Sequence, residues 1–204
     1  VLGAFVQGIE VEGRAYAGGW WDWLTPFTLT VGVALCAGYA LLGAGWLVLK
    51  TDGALRQQAY RLVKRAAMGT FFFVGVVSLW TPFLSPDIFA RWFTLPHFYW
   101  LAPVPLLTIG IAGLVAWGIQ RQRDAVIYPA TLGLLGLCFI GLGVGFTPYI
   151  VPRAITVHEA AAPDSSLLFM LVGAVIMLPL ILGYTAYSYW IFRGKVRHGD
   201  GGYH

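Results

Sequence analysis

The chain has 204 residues, 58% hydrophobic and only 11% charged, with a mean hydropathy of +0.73 and a formal net charge of +4. That leaves too little polar surface to coat a water-soluble domain of this length, so a soluble core is excluded. The 13 cations and 9 anions fall in six short stretches, and the five stretches between them carry no charge.

The uncharged stretches run from Leu24 to Leu49, Ala66 to Ser85, Phe98 to Ile119, Ala125 to Ile150 and Ser165 to Phe192. Each has at least the roughly 20 residues a helix needs to cross a hydrocarbon core of about 30 Å. They are apolar throughout rather than alternating, which argues against a transmembrane β-barrel. The sequence therefore predicts an all-α, polytopic membrane helix bundle with five transmembrane helices in residues 24–196. Residues 1–23 are expected to hold the end of a preceding helix and an outer loop, and residues 197–204 a cytoplasmic tail.

Taken in order, VLGAFVQGI has the character of the outer end of an earlier apolar helix, with an upstream half expected before Val1, and EVEGRAYAGG that of a polar loop. Thr25-Pro26-Phe27 opens the first helix, and Thr81-Pro82-Phe83 and Thr147-Pro148-Tyr149 close the second and fourth. Proline suits helix ends because it lacks a donor and disfavours helix in the residue before it, so the tripeptides act as punctuation; internal repetition is the sharper alternative. In KTDGALRQQAYRLVKRA, Leu55, Ala59, Leu62 and Val63 share one side of a helix that is expected to lie along the inner interface, with Asp52 as its N-cap. Pro103, Pro105 and Pro179 are expected to kink their helices. Gly141 and Gly145, with Gly133 and Gly136 earlier, predict a face that meets another helix.

Lys and Arg are retained on the cytoplasmic side during insertion. Lys50, Arg56, Arg61, Lys64, Arg65, Arg121, Arg123, Arg193, Lys195 and Arg197 all fall on one side, against Arg14, Arg91 and Arg153 on the other. The bias alternates at every crossing, which places the first residue outside and the last inside. An anionic inner leaflet accounts for the net positive charge, and no nucleic acid is implied. Trp and Tyr gather at both boundaries: Trp20, Trp21, Trp23, Trp80, Trp92, Tyr99, Trp100 and Tyr149 outside, and Trp46, Trp117, Tyr128, Tyr187, Tyr189 and Trp190 inside. Their rings suit the headgroup region, so they form an anchoring belt.

Chemistry is sparse. His97, His158, His198 and His204 all lie near or beyond the ends of the apolar stretches, where membrane-depth haem ligation and proton relays cannot use them. Met68, Met170 and Met177 are read as packing, and Cys36 and Cys138 as small apolar residues. His198, Asp200 and His204 match no metal-site spacing. No catalytic, cofactor-binding or metal residue is assigned. His158-Glu159 is the adjacent titratable pair, read as solvated or capping, with a proton exit or partner contact as the sharper alternative.

The carboxyl-terminal quarter, Tyr149 to Val196, resembles the end of subunit II of the cytochrome bd-type quinol oxidases. The most specific piece is YTAYSYWIFRGKV, with Tyr184, Tyr189, Trp190 and Arg193 at the motif positions. Trp21-Asp22-Trp23-Leu24-Thr25-Pro26-Phe27 and the helix exit ALLGAGWLVLKTDG, Ala40 to Gly53, are also similar. Two departures stand out: His158 occupies a position that is often aromatic in the family, and only the last five of nine family helices are matched. The resemblance implies part of an inner-membrane enzyme of bacteria that oxidises quinol and reduces dioxygen to water. It also implies that haems b and d belong to subunit I, the partner in a heterodimer, with a small single-helix subunit as a further partner. This chain would bind no haem by itself and would support assembly and proton supply. A helical module of a membrane transporter or channel is the alternative, which the lack of charged residues in the helices disfavours.

Overall fold

The computed structural model describes residues 1–194 except 14, 94, 96–98, 100 and 153, and leaves the side chains at 87 and 90–92 undescribed. The tail 197–204, residues Arg14, His97, Trp100, Arg153, Lys195, His198 and His204, and the ring of Trp92, for which the sequence raised expectations, lie outside what is described. Among the described residues, five helices are long and apolar enough to cross a membrane, as the sequence predicts. A short helix α1 (Leu2–Gln7) precedes α2 (Pro26–Lys50) and α3 (Gly53–Trp80). Helix α4 (Pro86–Phe93) leads to α5 (Pro103–Gln120) and α6 (Asp124–Phe146), then one turn α7 (Val157–Ala160) and α8 (Asp164–Ile191).

Helices α2, α3, α5 and α6 form a four-helix ring, with α2 against α3 as its broadest seam and α3 against α5 as its narrowest. The core at the Lys/Arg-rich end brings Leu41 and Val48 of α2, Ala59 and Val63 of α3, Val115 of α5 and Ile127 of α6 together. Small residues let backbones approach closely, which matters where lipid offers no hydrophobic drive for association. A side chain on Gly45 would meet the Tyr128 backbone at 3.5 Å, and one on Gly3 of α1 would strike Thr28 Cα of α2 at 2.7 Å.

The Thr-Pro tripeptides do punctuate helices. Thr25 caps α2 reciprocally with Thr28, through N–H to Oγ1 bonds of 3.0 and 3.2 Å, and Pro26 follows at the first helical position. Thr81 caps the end of α3 and opens the 3-10 turn Thr81–Leu84; Thr147 ends α6 before strand Tyr149–Val151.

Several local expectations are corrected. Pro103 and Pro105 lie in the first turn of α5, where their missing donors cost nothing, so they start the helix instead of kinking it. Pro179 does fall inside α8, and Pro129, which the sequence reading passed over, lies inside α6. The basic segment after Lys50 is no separate surface helix but the first turns of the 28-residue α3. At 1.5 Å per residue that helix is about 42 Å long, enough to cross the membrane and carry its basic turns beyond it. Ala59 and Val63 face the core there, while Leu55 and Leu62 are exposed. Asp52 stands at the N-cap position, with no capping bond from its side chain. The four glycines of α6 do not all meet another helix, and Gly145, on the same face as Gly141, borders the cavity instead. A side chain on Gly141 would meet Val104 at 3.2 Å, whereas Gly133, Gly136 and Gly145 have nothing within 4 Å. Two loops form small hairpins that were not expected from sequence, Val11–Glu12 with Ala15–Tyr16 and Tyr149–Val151 with Ile155–Thr156.

Candidate functional site

Three regions carry the features from which a function can be built. The first is a cavity of about 310 Å³ inside the ring, toward the end away from the basic residues. Val31 and Leu35 of α2, Val74 of α3, Val104 of α5 and Leu134 and Gly145 of α6 contribute to its wall. Its threonine hydroxyls are already committed: Thr70, Thr81 and Thr108 donate to the carbonyls of Ala66, Val77 and Val104 at 2.8, 2.7 and 2.9 Å. A wall that is mostly aliphatic, with its threonines spent on their own helices, suits hydrocarbon rather than a polar ligand. Cys138 lines it as a free thiol, Cys36 is free and exposed, and among the described residues neither His nor Met lines the wall.

The second region lies at the basic end, where the loops after α2 and α5 meet. Arg56 grips Asp124 with its Nε 3.0 Å from both carboxylate oxygens and a terminal nitrogen 2.7 Å from Oδ1. The Tyr60 hydroxyl donates to the same Oδ1 at 2.7 Å, and the guanidinium sits over the Tyr60 ring, 5.1 Å from its centre. Charge-assisted bonds of this forked kind are the strong ones, and they tie α3 to the start of α6. The sequence reading missed this cluster. The available signal was an acid opening a helix on the side where cations dominate.

The third region is the end of α8. Tyr189 stands edge-on to Trp46 of α2, with ring centres 5.7 Å apart, and Trp46 also packs on Tyr128 of α6 at 5.0 Å. Lys50 donates to the Phe192 carbonyl at 2.6 Å and lies over the Trp46 ring. A cation on the last carbonyls of a helix opposes its negative end. The structure thus brings Trp46, Tyr128 and Tyr189 of the expected belt into one cluster. Trp190 and Arg193 pair with each other, the guanidinium 5.3 Å from the ring centre, and Tyr184 is exposed.

At the opposite end, His158 and Glu159 sit on α7 and are exposed. The Glu159 carboxylate accepts from the Thr156 N–H and hydroxyl, both at 2.8 Å, while the Glu159 N–H donates back to Thr156 Oγ1 at 3.2 Å. This capping box gives Glu159 a local structural task. Met68, Met170 and Met177 are all exposed on the outside of their helices. Among the described residues, no three His, Cys, Asp or Glu side chains gather as metal ligands would.

The family model described as "Cytochrome bd terminal oxidase subunit II" matches residues 1–192. The chain is 23% identical to cytochrome bd-I ubiquinol oxidase subunit 2 of Escherichia coli (strain K12), in an alignment taking in 91% of this chain and 56% of that protein. It is 23% identical to the probable cytochrome oxidase subunit 2 of Haemophilus influenzae, over 96% of this chain and 60% of the relative. With cytochrome bd ubiquinol oxidase subunit 2 of Bacillus subtilis the identity is 24%, over 88% and 53%. The chain therefore spans little more than half the length of the curated relatives it matches.

Proposed function

The chain belongs to the family of cytochrome bd terminal oxidase subunit II, and from that premise we propose that it is part of the non-haem subunit of a quinol-oxidising, dioxygen-reducing respiratory complex. The observation that carries this reading is the family match along residues 1–192, which takes in all five apolar helices. The basic end faces the cytoplasm in this reading and the acidic loops face outside, as the distribution of Lys and Arg requires.

The family implies haems b and d, and the described residues of this chain do not fit one. Axial ligation takes His, Met, Cys or Tyr side chains directed at the iron. Here the described cavity wall offers one partly buried thiol, Cys138, and one phenol, Tyr149 at the outer end, with no described His or Met beside them, and the three methionines are exposed. Haem ligation and quinol oxidation accordingly belong to subunit I, the partner, with a small single-helix subunit as a further member of the complex. The contribution of this chain is a rigid helix ring that supports assembly. Asp, Glu, His, Lys and Arg are absent from the middle of the five uncharged stretches, so the titratable groups it can bring to proton supply lie toward the two ends. Asp124 stands at the cytoplasmic end, and His158 with Glu159 forms the outer contact for a proton or a partner.

The test is deletion of the gene, with quinol-supported oxygen consumption and the haem d absorption band measured in isolated membranes. Both are expected to fall and to return on complementation. Undiminished cyanide-tolerant quinol oxidation with an unchanged haem d band, in a strain with no second such oxidase, would contradict the reading.

A further inference from the structure

We propose that the seam between α3 and α5 holds an anionic phospholipid from the leaflet that meets the basic end, with acyl chain in the seam and headgroup at Lys64. This inference does not depend on the oxidase reading; it starts from the way the ring is packed. The α3–α5 seam is the narrowest of the four, and it opens into a groove of about 540 Å³. Ala67, Met68 and Phe71 of α3 and Ala112, Ala116 and Ile119 of α5 form its walls. The three alanines leave the space, and no polar side chain enters it between its two ends. An unfilled groove would forfeit dispersion contacts along both helices, and water would find no partners there. Hydrocarbon fills such a space without cost.

The mouth of the groove supplies the selectivity. Lys64 and Gln120 stand there, one a cation on a long apolar stem and the other an amide donor. The Lys64 stem can lie along the groove while its ammonium stays at headgroup level. Arg61 and Arg65 flank it on α3, and Arg121 and Arg123 follow the end of α5; all four are exposed. The described acids at this end are Asp52 and Asp124, and the Asp124 carboxylate is held by Arg56 and Tyr60. The mouth is therefore strongly positive. The other seam with cations at this end, between α2 and α8, is less suited, because Lys50 already donates to the Phe192 and Gly194 carbonyls. A Lys near a membrane surface contributes on the order of 1 kcal/mol toward an anionic lipid, which is about a five-fold preference.

The test uses the intact assembly purified from membranes, placed in nanodiscs of phosphatidylcholine with phosphatidylglycerol, and read by native mass spectrometry of the lipids that remain bound. Wild type is expected to retain phosphatidylglycerol in preference to phosphatidylcholine. Lys64→Gln, at an exposed position that folding does not need, should lower that preference about five-fold. Ala116→Phe should fill the groove and displace the lipid, while Arg193→Gln on α8 should leave it bound. A benzophenone side chain introduced at Met68 should crosslink to lipid. Retention that is the same in wild type, Lys64→Gln and Ala116→Phe would overturn the proposal. So would a crosslink from position 68 to protein, which would make the groove an interface between polypeptides.

Discussion

Helices α2 and α8 look alike as strings of apolar residues, yet they have opposite fates. Eight residues of α2 are buried, Leu41 and Val48 completely, whereas none of the 28 residues of α8 is. The more apolar helix is the less buried one. Hydropathy measures how readily a helix leaves water, and says little about which neighbour it meets once it is in lipid. What sets α2 apart is close approach and polar attachment: glycines against neighbouring backbones, a threonine capping box, and Gln7 of α1 accepting a bond from Thr25 at 2.8 Å. Among the described residues, α8 is held mainly at its last turn, by Tyr189 on Trp46 and by Lys50 on the Phe192 carbonyl.

The sharpest way to break this contrast is to make the same truncation in both helices. Leu41→Ala should cost about 2–4 kcal/mol in reversible unfolding from detergent, because Leu41 has no exposed surface and leaves a cavity. Leu178→Ala in α8, where the residue is 56% exposed, should change stability by less than about 0.5 kcal/mol. Similar costs would mean that α8 packs as firmly as α2.

The next effect is at the forked ion pair. Asp124→Ala removes the acceptor for both Arg56 and Tyr60 and should destabilise the bundle by about 1–3 kcal/mol, reduced because the pair is partly exposed. Arg56→Lys should recover only part of what Arg56→Ala loses, since an ammonium cannot make the fork. Thermal melts of the three variants check both statements.

Lys50→Gln should cost under about 1 kcal/mol, the range of a single cation at a helix terminus, yet loosen α8. Spin labels at the basic ends of α2 and α8 should then show a broader distance distribution. The most local effect is expected at the opposite end. Thr156→Ala should cost about 1 kcal/mol and act locally, read as faster hydrogen exchange at the amides of residues 157–160.

How much of this was legible beforehand follows the same division. Five crossings, the charge separation between the two ends and the Thr-Pro helix boundaries were readable because each rests on residues close together in sequence. The forked pair of Arg56 and Asp124 was not, because it joins positions 68 residues apart and depends on which helices are neighbours. The basic stretch 54–65 misled because an amphipathic pattern is the same whether a helix lies on a membrane or begins to cross a bundle. Pro103 and Pro105 misled for a related reason: the apolar stretch begins at Phe98, so the helix start was placed too early. The lack of charge within the apolar stretches is a property of the sequence itself. An ionisable side chain in the middle of an apolar segment is visible in sequence without any fold.

The proposal that this chain belongs to the haem-free side of an oxidase is tested most directly by an optical measurement. The protein should be purified with its partner, dissociated, and the reduced-minus-oxidised spectrum recorded for each separated subunit. The account predicts that every haem band follows the partner and that the subunit containing this chain is colourless. Stoichiometric haem absorption in the separated subunit that contains this chain would contradict it.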